Sequence, residues 1–464
     1  MNRSMLSMMV VALFLPVQGF AEETPFLSPE LTEAVVSELA EGVVAEELVE
    51  PAAEQALGIQ SLERWTLDDG TGVVLVSDHR VELVQIRLTF PAGNFSAWFH
   101  NSGGSEAFRL QMDDPGLVLR GRADALAATI DLRVRDRYSQ LTATCLKRDV
   151  EEVVALIRDV LFNTEYDTKE LKRQKKGRVI GWKGSMKDPN FRLMQAGVEV
   201  ALADQDPRRW EFAEPPTLVT DVDKLLATRD MLVRFPGRSI GFAGDLTREE
   251  AEALAIGMLP TPGEAPADLE PILLPLKTDV PSEHSAEMKN LTQVYIAYGG
   301  PCPAWTDPRY PAFKVANYVL GGHFFSRLYV ALRHDDGDTY GARSRAYPEM
   351  ENGIVALTTF TRADNAGDIE GKLKDVLATF HAEGISEEER SEAVAALKGQ
   401  LLFDQQAPGQ VLGDRIWEEF VGLPEGFDEG VISAAESLTL EEVNAAIAEL
   451  FDPAGFTMVR LQSE

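Results

Sequence analysis

The sequence predicts an α+β fold made of two homologous domains, each an antiparallel sheet packed with helices. Three observations predict it: runs of period-two alternation, capping boxes ahead of amphipathic runs, and an echo between the two halves of the chain. In the echo, Thr292-Gln-Val-Tyr-Ile-Ala-Tyr-Gly-Gly300 repeats the alternation of Val84-Gln-Ile-Arg-Leu-Thr-Phe-Pro-Ala-Gly93, and both stretches run into a small-residue turn. Each is followed by a helix, a hairpin and another helix, which gives units of roughly 200 residues, an ordinary domain size.

With 464 residues, 45% hydrophobic and 26% charged, the chain is long enough for more than one core. Residues 1–21 read as a secretory signal: Met1-Asn-Arg3, an apolar run Met5–Pro16, and small residues Gly19 and Ala21 ahead of a cleavage point. The alternative is a retained membrane anchor, against which stands a run shorter than the ~20 residues a spanning helix needs. The expected location is periplasmic or otherwise exported. Export implies an oxidising compartment, so Cys145 and Cys302 form either one disulfide or two buried thiols, and their distance in sequence favours the second. Lys+Arg 44 against Asp+Glu 75 gives a net charge of −31, which excludes phosphate backbones and anionic lipid surfaces as partners.

In chain order, residues 22–60 form an acidic, helix-forming arm, with Ser28-Pro29 as cap and first turn. The first domain spans 61–259. It opens as an antiparallel meander: a strand at Trp65, a turn at Asp69-Gly70, Val73–Ser77 and Val81–Phe90. Ala127–Val134 and Leu141–Leu146 pair next. Asp149 with Glu152 reads as a capping box for a helix Val150–Phe162, and the basic run Lys169–Lys183 as the solvated face of another. Ser239–Ala243 is a strand, and Thr247 with Glu250 caps a helix. Six prolines from Pro260 to Pro281 mark a linker over 260–284, and the second domain spans 285–464. There a hairpin turns at Glu351-Asn352-Gly353, and Ser386 with Glu389 and Thr439 with Glu442 cap two helices.

The densest motif is Asn317-Tyr-Val-Leu-Gly-Gly-His-Phe-Phe-Ser-Arg-Leu-Tyr-Val-Ala-Leu-Arg-His-Asp-Asp-Gly-Asp-Thr-Tyr-Gly-Ala. By itself it is a glycine pair, a short helix, a turn and a strand. Arg333 then reads as a helix-end cation paired with Asp335 or Asp336, and Tyr340 as a core ring. With Phe242-Ala-Gly-Asp245 and the closing Leu438-Thr-Leu-Glu-Glu-Val, however, it resembles the pitrilysin/insulinase-type (inverzincin) metallopeptidases, in particular a non-zinc-binding subunit of the small bacterial heterodimeric type. The resemblance runs from about Leu62 to the end and implies half of a clamshell.

That resemblance implies an inverted H-x-x-E-H motif on a first-domain helix, two histidines for zinc and a glutamate as base, with a further glutamate ligand some seventy residues on. Here the helix expected to begin at Gly103-Gly104 would put Ala107, Leu110 and Gln111 in those places. The third-ligand helix reads Lys175-Lys-Gly-Arg-Val-Ile-Gly-Trp-Lys-Gly184, without a carboxylate. His100 has only glycines at its +3 and +4 positions, and none of the six histidines stands at metal-binding helical spacing to another. No metal is therefore expected in this chain, and zinc is expected in a partner subunit.

The family's arginine and tyrosine, which hydrogen-bond the substrate carbonyl across the clamshell, carry over to Arg333 and Tyr340, both as donors for charge developing on oxygen. His323 either touches bound peptide or caps its turn, the second being preferred. Arg327, Arg343 and Arg345 could line the cleft, and His334 pairs with neighbouring aspartates. The expected function is an exported peptidase-like subunit, inactive alone, that completes the active site of a zinc-bearing homologue. The alternative is an inert pseudo-peptidase serving as a structural or peptide-binding subunit.

Overall fold

Period-two alternation puts one face of each strand into a core, and the observed burial follows it. In β3 (Leu83–Phe90), Ile86, Leu88 and Phe90 are fully buried; in β8 (Gln293–Cys302), the echoing Val294, Ile296 and Tyr298 point the same way. The computed structural model describes residues 61–464 except 110–117, 164–167, 214–218, 267–268, 270–272, 335–338 and 340. The predicted signal segment, 1–21, and the predicted acidic arm, 22–60, lie outside the described residues.

The first sheet contains β1 (Ser61–Thr66), β2 (Gly72–Ser77), β3, β4 (Thr129–Val134), β5 (Ser139–Leu146) and β6 (Ser239–Gly244), in the order β1-β2-β6-β3-β5-β4. The second contains β7 (Glu283–Met288), β8, β9 (Ala342–Tyr347), β10 (Gly353–Arg362) and β11 (Thr457–Ser463), in the order β7-β11-β8-β10-β9. Apart from the extra edge strand β1, the two orders are the same. In each, the last strand of the half lies between the first two, parallel to one and antiparallel to the other. The repeat inferred from one pair of strands therefore extends to the whole topology.

That order corrects the predicted meander. β1 and β2 do pair antiparallel, but β6 separates β2 from β3. Every residue of β6, Ser-Ile-Gly-Phe-Ala-Gly, is buried, as a central strand covered on both faces must be. A pairing between residues more than 150 positions apart leaves no local periodicity to read. The predicted capping box at Asp149 and Glu152 is also absent. Strand β5 runs through a 3-10 turn, Lys147–Asp149, straight into the helix Val150–Arg158, so Asp149 never takes the extended cap conformation. The boxes at Thr247/Glu250, Ser386/Glu389 and Thr439/Glu442 form as predicted.

Leu57–Glu464 make one compact unit in which each sheet has its own core. The outer faces are covered by exchange. Val411, Leu412 and Ile416, on the helix Pro408–Val421 of the second half, pack on Val74, Val76 and Ala243 of the first sheet. Leu193 and Ala196, on the helix Pro189–Ala201 of the first half, pack on Val459 and Leu461 of the second sheet. Among the described residues no helix is long and apolar enough to cross a membrane. Cys145 and Cys302 are two buried thiols, one per sheet, and burial pushes them up to about 11 and about 12.

The helix Pro408–Val421 brings Asp414 towards the first sheet, near Arg87 and Tyr138. Burial pushes its carboxyl up to about 6, against the Gln410 amide that donates to it at 2.8 Å. The folded state thus holds a proton that the unfolded chain has released, so this contribution to stability is fully present below the ordinary aspartate range and is lost as pH rises through about 6. Asp414→Asn is expected to stabilise the protein at pH 7.5 by roughly 1–2 kcal/mol and to leave it unchanged at pH 4. Thermal melts at the two pH values check this; an equal shift at both would show that the carboxyl is not held protonated.

Candidate functional site

Between the second sheet and helices and loops of the first half lies a cleft of about 1270 Å³. One wall is the open face of the second sheet. Its strands place residues in rows by their register: Arg343 beside Thr358 beside Ala297, and Arg345 beside Ala356 beside Gly299. Alternation sends these residues to the cleft while Ser344, Val355 and Leu357 enter the core. The small residues make a trough, and the two exposed arginines stand on the strand at its border. The opposite wall comes from the helix Pro189–Ala201, from Trp182 and from His100, whose ring packs 4.4 Å from Trp210 and whose pKa burial pushes down.

The glycine-rich motif forms part of the cleft's rim. The helix Tyr310–Asn317 continues through a π-helical turn, Tyr318–Gly322, that passes over β9. A Cβ on Gly321 would lie 2.3 Å from the Ser344 backbone nitrogen, so the close approach requires glycine there. Ser344 Oγ donates to Asn317 Oδ1 at 2.5 Å and ties the strand to the turn. Beyond it Phe324 and Phe325 are 58% and 74% exposed, and Phe324 lines the cleft.

The predicted site residues divide. His323 lines the cleft and also closes its own turn: its ring stacks on Tyr318 at 4.7 Å, and its Nδ1 accepts from the Phe325 backbone N–H at 3.3 Å. Burial lowers its pKa, which keeps it a neutral acceptor. Arg327 turns to Glu389, donating to both carboxylate oxygens at 2.8 Å and holding that carboxyl down at about 2. It is not among the described residues that line the cleft. Arg343 and Arg345 do line it. Arg333 belongs to the π-helical turn Val330–His334 that follows Arg327–Tyr329, but its side chain, like Tyr340, lies outside the described residues.

The zinc positions implied by the resemblance are apolar where they are described. The helix Gly104–Arg109 starts after Gly103, in left-handed conformation, as the sequence suggested. Ala107 is fully buried against Leu171 and Leu225, a setting that offers no ligand and does not fit a zinc ion. Leu110 and Gln111 lie outside the described residues. Among the described residues no group of three His, Cys, Asp or Glu could hold a metal.

Two clusters were not anticipated from the sequence. At the cleft's edge, Glu349 accepts from Arg137 at 3.1 Å, and burial raises the pKa of both Glu349 and nearby Asp136. Outside it, Ser77 Oγ lies 3.3 Å from His79 Nε2, and His79 Nδ1 2.5 Å from Asp245 Oδ1. That spacing resembles a nucleophile relay, but the Ser77 hydroxyl is buried and donates to the Leu246 carbonyl at 2.7 Å. The group fastens the end of β2 to the turn after β6. Gly244, at φ +117, makes that turn possible.

The peptidase M16 inactive domain model matches residues 239–397. The uncharacterized zinc protease YmxG of Bacillus subtilis is 27% identical over 138 residues, which are 30% of this chain and 34% of that protein. An uncharacterized zinc protease of Streptomyces coelicolor is 23% identical over 163 residues, 34% of each chain. The chain thus spans about a third of the length of the curated relatives it matches. Among solved structures, a peptidase M16 inactive domain from Pseudomonas fluorescens superposes with a TM-score of 0.74 at 20% identity, covering 87% of this chain and 98% of that one. The periplasmic protease PqqL from Escherichia coli gives 0.69 at 17% identity, covering 94% of this chain and 51% of that one. These structural likenesses carry the fold, and the peptidase M16 inactive domain match falls on the segment that bears the glycine-rich motif. Over residues 239–397 the chain matches the peptidase M16 inactive domain, and its fold is that of the solved peptidase M16 inactive domain from Pseudomonas fluorescens.

Proposed function

We propose that this chain is an exported, zinc-free subunit that pairs with a zinc-bearing homologue and completes its site for peptide hydrolysis. The observation that carries the reading is the contrast between the two halves. The sequence keeps the glycine-rich motif, whose Gly321, Gly322, His323 and Phe324 line the cleft, while the position assigned to the first zinc ligand is a buried alanine. In this reading Arg333 and Tyr340 touch the substrate carbonyl and donate to the negative charge that grows on its oxygen. His323, on the rim, contacts the bound peptide, and Arg327, held by Glu389, keeps the turn that carries it in place. The metal and the general base reside on the partner.

Support for export comes from the N-terminal sequence and from the periplasmic location of PqqL, a structural neighbour. The second reading, an inert pseudo-peptidase that binds peptide or holds an assembly together, is favoured by the inactive-domain match itself. Co-expression with a homologue carrying H-x-x-E-H tests the choice. Unfolded peptide should be cleaved by the pair and by neither subunit alone; a pair that forms but cleaves no faster than the partner alone would leave the structural reading standing. Metal analysis of the isolated, refolded chain should find no stoichiometric zinc, and finding it would overturn the division of labour.

A further inference from the structure

The charge of the cleft is opposite to that of the molecule. The chain carries a formal charge of −31, yet the cleft is bordered by Arg343 and Arg345 and also receives Lys277. Lys277 Nζ donates to the Glu199 backbone carbonyl and meets no carboxylate among the described residues. Among the described residues the lining holds two carboxylates, Asp136 and Glu349, and Glu349 is taken up by Arg137 at 3.1 Å. Arg343 and Arg345 also repel each other, which is a cost that a bound anion would relieve.

Their spacing is informative. Residues two apart on a strand point to the same face about 6.6 Å from one another, the same repeat as alternate side chains of an extended peptide. Beside them, Ala297, Gly299 and Ala356 leave a shallow floor on which a peptide backbone can lie. Guanidinium groups at that repeat present planar donor forks to carboxylates at the same repeat.

We propose that Arg343 and Arg345 form a subsite for an extended acidic peptide, reading two carboxylates two residues apart, Glu-x-Glu or Asp-x-Asp. The proposal rests on the peptide-binding reading above and names its substrate class. The overall negative charge disfavours nucleic acid and free polyanions at long range, while the low-dielectric cleft focuses a local positive field on a segment that has already entered.

The test uses the full mature chain and three fluorescent peptides of identical apolar sequence that differ at two alternate positions: Glu-x-Glu, Gln-x-Gln and Lys-x-Lys. Fluorescence anisotropy at near-physiological salt should show the Glu-x-Glu peptide binding at least tenfold tighter than Gln-x-Gln, with Lys-x-Lys weakest. In the Arg343→Gln/Arg345→Gln protein, with an unchanged melting temperature, the first two affinities should fall within twofold of each other and the Gln-x-Gln affinity should stay where it was. Equal binding of the three peptides to the wild-type protein would overturn the acidic subsite while leaving peptide binding intact. Failure of all three to bind, alone or with the zinc-bearing partner, would overturn both readings. A preference that survives the double substitution would move the subsite elsewhere.

Discussion

In a complex reconstituted with a zinc-bearing homologue, Arg333→Ala is expected to lower kcat/KM about 10²–10³-fold, with the subunits still associating normally. Attack of water on an amide places negative charge on the carbonyl oxygen only as the transition state forms. A donor aimed at that oxygen therefore acts more on kcat than on KM. A guanidinium supplies the donor with a charge that no working pH removes, whereas Lys at the same place would offer a point charge in another geometry. Tyr340→Phe removes one neutral donor and keeps the ring, so a smaller loss, about tenfold to a hundredfold, is expected. If the two donors act on one oxygen, the double variant should fall short of the product of the single losses. Size-exclusion chromatography with light scattering separates assembly from chemistry. Undiminished turnover in both single variants, with intact complexes, would mean that the motif serves architecture.

Much of the fold was legible because its signals are local. The alternation Val84, Ile86, Leu88 and Phe90 reports a half-buried strand whatever lies next to it, and Ser386-x-x-Glu389 or Thr439-x-x-Glu442 report helix starts through bonds that span three residues. Even the duplication was visible, since two strands with the same small-residue turn recur at an interval of about one domain. What stayed hidden depends on distance. The insertion of β6 between β2 and β3 and the exchange of outer helices between halves are decided by packing between residues more than 150 apart. Asp149 failed as a cap for a different reason. It has the right chemistry, but the backbone enters the helix from a 3-10 turn, and the sequence pattern does not encode that entry angle.

The site was legible to a similar degree. Gly321 could be singled out as a glycine, but only the approach of Ser344 explains why nothing larger fits. Arg327 and Arg345 look alike in sequence, each a cation on an element of the motif. Glu389 separates them: it is the third residue of a capped helix 62 positions later, and it accepts from both Nε and Nη2 of Arg327. Arg345 meets no such partner on its strand and remains at the cleft. An ion pair of that sequence separation cannot be read from charge patterning along one element. The Ser77, His79 and Asp245 cluster shows the converse, a constellation suggestive in distance that burial of its hydroxyl turns into a fastening.

Gly241→Leu is expected to destabilise the protein by about 3 kcal/mol or more and to do so in both halves at once. Gly241 lies in β6, and a Cβ there would stand 2.8 Å from both Ile416 Cδ1 and Leu412 Cδ1. These two residues, four apart, are with Val411 the ones with which the helix Pro408–Val421 grips the first sheet. A leucine must either push the helix away or distort a strand with neighbours on both sides, and neither response is cheap in an interior packed as densely as a crystal. Because that helix belongs to the second half, its displacement disturbs both halves. Amide exchange should therefore lose protection in β8 and β10 as well as in β2, β3 and β6. Gly177→Ala is the matched control. It sits in the helix Thr168–Ser185 with open space where a Cβ would go, and should stabilise by about 0.5–1 kcal/mol through the unfolded chain alone. Loss of protection confined to the first sheet would mean that the halves unfold independently and that the exchanged helices do not couple them. Coupled loss would make the cleft a property of the whole unit, since the helix Pro189–Ala201 that forms one of its walls is held in place by Val459 and Leu461 of the opposite half.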